Sequence, residues 1–359
     1  MPKWEYAIMP RKLFAHLRRF FTNSFVKFVA KKVVFYAIVM FVAMTFVFFI
    51  PRIVPVNPID LMIPRPSGGI SPEQYAEIRN YYMRFFGLDK PLFDQYIIFW
   101  RQILTLDLGR SFPTSSVVSW PRPVLGAILG FLPFTLALVI PVLLLSFILG
   151  NWIGARAAYV GGKRSELAYF FSVFSNRLPC FWLGMVLLFL LATRAGLFPT
   201  VGWISLRVKP PSLDLDTFLD VLWHYCLPFL SLFIVYLGGW ATGMRSMVIY
   251  EMDSGYVRYS DQLGFRKSKS MAYAKRNAIL PQFTGINLYL NALIGETTII
   301  ENIFGWPGIG RLLVDSVMTS NFPMITGCFL VIMVVVIFGN FLIDILYGFV
   351  DPRIRIGRR

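Results

Sequence analysis

The chain has 359 residues, of which 56% are hydrophobic, 17% aromatic and only 15% charged; 35 Lys and Arg against 19 Asp and Glu leave a formal net charge of +16. Length alone allows two or three soluble domains, but several uncharged runs are long enough to cross a bilayer, which takes roughly 20 residues. A soluble α/β enzyme breaks such runs every roughly 5–8 residues, and the basic residues here flank the apolar runs as the positive-inside rule requires, so the charge points to membrane topology and not to nucleic acid.

Residues 1–32 carry Lys3, Arg11, Lys12, Arg18, Arg19, Lys27, Lys31 and Lys32 against the single acid Glu5, with Phe14, Leu17, Phe21, Phe25 and Phe28 at helical spacing. That pattern predicts a basic amphipathic segment on the cytoplasmic face of the membrane, retained in the mature chain because no small-residue cleavage site follows a short apolar core. Residues 33–51 form the first predicted span. Residues 52–122 follow as a large extracytoplasmic loop in which Glu73, Glu77, Asp89, Asp94 and Asp107 nearly balance the basic residues. The contrast with the N-terminal segment sets the orientation.

Residues 123–350 hold five further predicted spans. The second, over 123–155, contains Pro133 and Pro141, and Pro141 is expected to kink it. A basic turn at 156–164 leads to a third span over about 167–193, with Asn176, Arg177 and Pro179 near its middle. An outer loop at 194–220 precedes the fourth span, 221–244, where Gly238-Gly239 permits close helix contact. The fifth covers 277–303, the turn Gly305 to Gly310 lies outside, and the sixth covers 322–349. The basic tail 351–359 carries four arginines. The expectation is an all-α protein of about six transmembrane helices, multi-pass in the plasma or inner membrane, with both termini cytoplasmic.

One polar, basic stretch interrupts this pattern, the cytoplasmic loop 245–278 and its continuation to Pro281. Tyr256, Val257, Tyr259 and Ser260 precede Gly264; Phe265, Arg266, Lys267 and Lys269 follow it. Apolar residues at helical spacing predict a short amphipathic helix, with Gly264 bending the backbone after it. A short helix held out to the cytosol between two membrane helices is a docking device.

No chemistry of its own is legible in the chain. There is no GxxxxGK[ST] phosphate loop, no Ser/His/Asp set and no zinc-ligand spacing. Cys180, Cys226 and Cys328 lie in or beside apolar runs and read as packing residues, while His16 and His224 are isolated. The expectation is therefore no catalytic residue, no metal and no cofactor, with any pumping energy supplied by another subunit or by an ion gradient.

Tyr256-Val257-Arg258, Gly264 and Arg276-Asn277-Ala278-Ile279-Leu280-Pro281 resemble the cytoplasmic coupling loop of ABC importer permeases, most closely those of the dipeptide/oligopeptide family. Other stretches resemble that family in the same order: Gly87-Leu88-Asp89-Lys90-Pro91-Leu92, Asp107-Leu108-Gly109-Arg110-Ser111, Phe131-Leu132-Pro133, Phe181-Trp182-Leu183-Gly184, Gly196-Leu197-Phe198-Pro199, Pro307-Gly308-Ile309-Gly310 and Asp351-Pro352-Arg353. The family's Glu-Ala-Ala triplet is replaced here by Arg258-Tyr259-Ser260. The resemblance implies a MetI-like permease fold with a coupling helix, a homologous second permease, two cytoplasmic ATPases that bind ATP and Mg, and an extracytoplasmic solute-binding protein, all embedded in or beside membrane lipid. It also implies that Tyr256, Val257, Arg258, Ser260, Gly264, Phe265 and Arg266 couple the chain to an ATPase.

Two further groups stay open on sequence alone. Asn176, Arg177 and Glu296 either line the translocation path or pair with one another and with helix carbonyls for structure. Glu301, Trp306, Pro307 and Gly308 form either an outer gate or a tight loop between spans. Asp344 is expected to pair with a basic residue. Oligopeptides are the expected substrate, with oligosaccharides as the alternative. A secondary transporter or channel, expected to show inverted repeats or paired intramembrane ions, and a membrane enzyme, expected to cluster His, Asp or Glu, fit less well.

Overall fold

The computed structural model describes residues 23–53, 71–85, 87–111, 123–160, 162–205 and 214–350. Among them the ordered elements are helices, with an isolated β-bridge between Arg110 and Pro123. Residues 1–22 and 351–359, which include most of the basic N-terminal segment and the arginine tail, lie outside the described residues.

Helix α1 spans Asn23–Ile53, 31 residues or about 46 Å at 1.5 Å per residue. Its apolar stretch is Phe28–Phe49, so Lys31 and Lys32 sit on the membrane helix itself and not on a separate segment ending at residue 32. Two shorter helices, α2 (Pro72–Phe85) and α3 (Leu92–Thr105), order the following loop. α2 opens on a capping box: Gln74 N–H donates to Ser71 Oγ at 3.2 Å, Ser71 N–H donates to Gln74 Oε1 at 3.0 Å, and Pro72 fills the first helical position.

Helix α4 (Val124–Tyr159) runs through both Pro133 and Pro141 as one 36-residue element. The predicted third span is two helices. α5 (Lys163–Asn176) and α6 (Cys180–Leu187), the latter continued by a π-helical turn over Leu188–Arg194, meet at 103°. Pro179 causes the break: it brings no N–H to the ladder and disfavours helical geometry at Leu178. The last turn of α5 closes instead through Arg177 N–H to Phe174 O and Leu178 N–H to Ser175 O, both at 3.1 Å.

Helix α7 (Leu215–Met252) is capped by Asp214, whose carboxylate accepts from Thr217 N–H at 2.9 Å. The short α8 (Gly255–Gln262) follows, then α9 (Lys267–Phe304), α10 (Ile309–Met318) and α11 (Phe322–Val350).

Small residues let α7 serve as the hub. A Cβ on Gly154 of α4 would lie 2.2 Å from Ala241 O, and one on Gly238 of α7 would lie 2.3 Å from Ser175 Oγ of α5. Backbones approach this closely only where no side chain intervenes, the usual way helices associate where lipid offers no hydrophobic gain from pairing. Three apolar clusters fill the rest, the smallest of them joining Ala155, Met244, Val248 and Ala278. Another joins Met44 and Phe48 of α1 to Phe99, Ile128, Leu312 and Cys328. The third joins Val142, Cys180, Leu232, Leu293 and Phe304. Phe35, Phe41 and Phe46 of α1 remain exposed, as a lipid-facing surface requires.

Among the described residues, α1, α4, α7 and α11 are long and apolar enough to cross a membrane, and α5–α6 makes a fifth if the bent pair is one span. α9, the expected fifth span of the sequence reading, is a single 38-residue helix that does not meet the same apolar standard. Gln282, Asn287, Asn291, Glu296 and Glu301 all fall within it. Six spans are thus not reached on length and composition, and the shortfall falls on α9.

Candidate functional site

The polar stretch 245–278 is mostly helix. Residues 245–252 continue α7 and residues from Lys267 onward belong to α9, so only 253–266 bridge the two, and α8 occupies most of that bridge. Arg245 is still in α7, where its guanidinium stacks 3.9 Å from the centre of the Tyr169 ring.

α8 is fixed at both ends. At its start Ser254 Oγ donates to Glu251 O and Tyr256 Oη donates to Glu251 Oε2, each at 2.5 Å. Burial and that hydrogen bond hold the Tyr256 phenol above its ordinary pKa, keeping it a neutral donor. At its end Gly264 adopts φ +76°, and two reversed bonds close the helix: Gly264 N–H to Asp261 O at 3.0 Å and Phe265 N–H to Ser260 O at 3.2 Å. This is a Schellman cap, which needs a left-handed residue at the position of Gly264.

The side chains of α8 divide into an anchor and a free face. Val257 and Ser260 are buried at 5% exposure each. Ser260 Oγ donates to Ser270 Oγ of α9 at 2.9 Å, and Ser270 donates to Asp261 Oδ1 at 2.6 Å. Tyr256, Arg258, Tyr259, Leu263, Phe265 and Arg266 face outward, with Lys269 Nζ 4.4 Å above the Phe265 ring. Of the seven residues read as coupling residues, two are therefore the anchor and five belong to the exposed side. Ser270 and Asp261, which complete the tie, carry no mark in the sequence beyond being polar.

A second group surrounds the α5–α6 break. Asn176, Leu178, Tyr236, Tyr289 and Glu296 line a cavity of about 340 Å³ between α5, α7 and α9. Glu296 Oε2 accepts from the Cys180 thiol at 2.9 Å. Asn176 and Tyr289 also press on Gly239, where a Cβ would lie 2.6 Å from Tyr289 Oη. Arg177 does not join them. It is exposed, it is absent from the cavity wall, and no ion pair links it to Glu296. Of the three residues grouped in the sequence, the fold brings together Asn176 and Glu296 and leaves Arg177 outside. Tyr236 and Tyr289 were unmarked, because an aromatic on a membrane helix looks the same whether it faces lipid or a cavity.

The third group lies at the far end of α9. Glu301 is fully buried. Its Oε1 accepts from Thr135 Oγ1 at 2.7 Å and its Oε2 from Arg311 N–H at 3.1 Å, while Ile309 N–H donates to Thr135 Oγ1 at 2.8 Å. The carboxylate thereby caps the N-terminus of α10, where the helix dipole favours negative charge. Trp306, 2% exposed, donates through Nε1 to Phe134 O at 3.0 Å. Gly308 packs directly on the carboxylate: a Cβ there would lie 1.9 Å from Glu301 Oε1. Glu301, Trp306, Pro307 and Gly308 thus form one turn with Thr135, a residue assigned no role at this end of the fold from sequence.

Asp344 does find a basic partner. Its Oδ2 accepts from Lys32 Nζ and from Tyr36 Oη, each at 2.7 Å, and its Oδ1 from Asn287 Nδ2 at 3.1 Å, tying α1, α9 and α11 together. The two loop motifs Gly87-Leu88 and Asp107 to Arg110 meet in a cavity of about 620 Å³, with Arg52 and Gln95 on its wall. His224 is buried against Asp220, with Nδ1 2.8 Å from Asp220 O.

The profile of the family described as binding-protein-dependent transport system inner membrane component matches residues 150–356, from the C-terminal part of α4 through α11. The chain belongs to this family. Among its relatives are the oligopeptide transport system permease protein AppB of Bacillus subtilis, 31% identical over 86% of this chain and 92% of the relative, and the di/tripeptide transport system permease protein DppB of Pseudomonas aeruginosa, 30% identical over 85% and 91%. The dipeptide transport system permease protein DppB of Escherichia coli is 29% identical over 85% and 91%. This member of the inner-membrane component family is accordingly a multi-pass permease subunit of a binding-protein-dependent ABC importer. The matched region contains α8, the broken α5–α6 pair and the Glu301 turn, while Phe134 and Thr135, which hold that turn from α4, precede it.

Proposed function

We propose that this permease forms half of a translocation pathway for oligopeptides, paired with a homologous second permease and fed by an extracytoplasmic solute-binding protein. ATP hydrolysis takes place in two cytoplasmic ATPase subunits, which hold ATP and Mg, and the chain has no nucleotide site of its own. Both termini and α8 lie on the cytoplasmic side.

The observation that carries this reading is α8 itself. It is too short to stand alone as a stable helix, yet it is capped at both ends and hydrogen-bonded to the first turn of α9 while its tyrosines and Phe265 stay uncovered. Such a helix passes a push on its exposed face into a 38-residue membrane helix as a rigid lever, whereas a loop that only binds lipid headgroups needs charge and no defined fold. The names of the relatives support peptides as cargo.

The test is reconstitution in liposomes with both ATPases, the second permease and the binding protein. Uptake of a labelled peptide requires ATP and every partner. Uptake without ATPases would instead make this chain a secondary transporter or channel, and uptake of an oligosaccharide in preference to peptides would assign the cargo to sugars.

A further inference from the structure

We infer that the cavity at the α5–α6 break binds a primary ammonium group, namely the free N-terminus of the peptide in transit. This rests on the reading of the chain as a peptide permease. Glu296 is half-buried between packed helices, and no Lys, Arg or His pairs with it among the described residues. The groups that face it are neutral: the Cys180 thiol, a weak donor, and the Tyr236 hydroxyl beside it. A carboxylate so placed is costly unless a cation meets it, which is why intramembrane ions mark pathways.

The cavity wall has a second unmet need. Tyr236 is only 4% exposed and lies beside Glu296, yet its hydroxyl makes no hydrogen bond of normal geometry. Its ring meets Tyr289 edge to face at 5.6 Å, and Tyr289 stacks on Trp240 at 4.0 Å. One carboxylate, a neighbouring hydroxyl and aromatic faces suit a cation that can both donate hydrogen bonds and lie against rings. An ammonium group does both. A divalent metal needs about six oxygen ligands, and no group of three His, Cys, Asp or Glu is placed to hold one among the described residues. A neutral sugar leaves the charge of Glu296 unmatched.

Size agrees. About 340 Å³ falls at the lower end of small-ligand cavities, which run from about 300 to 1,000 Å³. That is room for the end of a peptide and not for a whole oligopeptide. Asn176, at the rim, offers an amide to the first peptide carbonyl or N–H.

The experiment uses the assembled transporter in nanodiscs without its binding protein, titrated with trialanine amide and with N-acetyl-trialanine amide. The free amine binds about 10-fold more tightly than the acetylated peptide, as expected for a charged hydrogen-bonded contact. Glu296→Gln reduces that preference to less than about 2-fold, and Tyr236→Phe, which deletes the hydroxyl beside Glu296, reduces it about 2- to 5-fold. Equal binding of the two peptides, no binding of either, or a preference that survives Glu296→Gln overturns the inference. ATP-driven peptide uptake by the same wild-type preparation in liposomes separates the two readings. If uptake proceeds and the preference is missing, only this inference fails; if no peptide moves, the proposed function fails.

Discussion

The hydroxyl of Ser270, at the start of α9, joins two residues of α8: it accepts from Ser260 at 2.9 Å and donates to Asp261 at 2.6 Å. Ser270 is 3% exposed, so this tie is shielded from water along most of its length. It is the polar link between the proposed docking helix and the membrane helix that follows it.

Ser270→Ala removes both bonds at a cost of about 1 kcal/mol. The variant inserts and retains ATPase activity in the assembled transporter, but peptide moved per ATP hydrolysed falls by about 3- to 10-fold, since a lever with a loose joint wastes strokes. Simultaneous assay of uptake and phosphate release measures the ratio, and an unchanged ratio shows that force does not pass through this joint.

Gly264 tests the same element by another route. Its φ of +76° costs a non-glycine residue roughly 1–2 kcal/mol, while an added Cβ meets no atom within 4 Å. Loss of function on substitution is then a backbone effect. Gly264→Asp uncouples hydrolysis from uptake without blocking membrane insertion. Gly264→Asn is milder than Gly264→Val, because Asn tolerates the left-handed region and a β-branched residue does not. Uptake rates in the order Val above Asn would show that side-chain contact with the ATPase matters more than φ.

At the other end of α9, the Glu301 turn is predicted to be structural. Gly308→Ala places a methyl group 1.9 Å from Glu301 Oε1 and has no room to relax, so the yield of folded protein collapses. Glu301→Gln is nearly the same shape but either turns an N–H toward the Arg311 N–H or turns it toward Thr135, whose own O–H then loses its acceptor, so one buried donor goes unsatisfied at about 1–3 kcal/mol. A lower thermal transition in detergent for Glu301→Gln checks this. A variant with unchanged stability and altered uptake would make the turn a gate after all.

The Asp344 cluster predicts non-additivity. Asp344→Leu strands Lys32, Tyr36 and Asn287 and destabilises the fold by about 1–3 kcal/mol. Adding Lys32→Met to Asp344→Leu recovers part of the loss, since the stranded cation contributes much of the damage. Thermal transitions of the two singles and the double complete the cycle, and strictly additive shifts would show that the ion pair carries no coupling.

Tyr256 gives a pH signature. Its folded pKa is raised, so the stabilisation from its hydrogen bond to Glu251 is complete below the unfolded value of about 10 and is lost as pH rises through the higher folded value. Alkaline titration followed by phenolate absorbance loses one tyrosine's worth of its late-ionising amplitude in Tyr256→Phe. Loss of no late component in that variant would place the raised group elsewhere.

Membrane class, most of the helices and the position of the short helix α8 were legible in the amino-acid order, because each depends on local properties. Long uncharged runs have one stable solution in lipid, a helix that satisfies its own backbone. Gly264 announced a left-handed turn after a short amphipathic stretch, and Asp344 announced a charge in need of a partner. The bend at Pro179 was visible as a proline and still read as a point within one span, since a proline alone does not say whether a helix kinks or turns through 103°. What the tertiary structure alone decided is which polar groups face one another. Arg177 and Glu296 look like a natural ion pair in sequence, yet the break after α5 leaves the arginine exposed and leaves Glu296 with Tyr236 and Cys180. Thr135 and Glu301 meet across 166 residues, and Ser260 and Ser270 across a glycine-bent turn. Helical periodicity assigns a residue to a face of its own helix; which neighbour covers that face depends on where small residues let the backbones come together, and that is a property of the packed bundle.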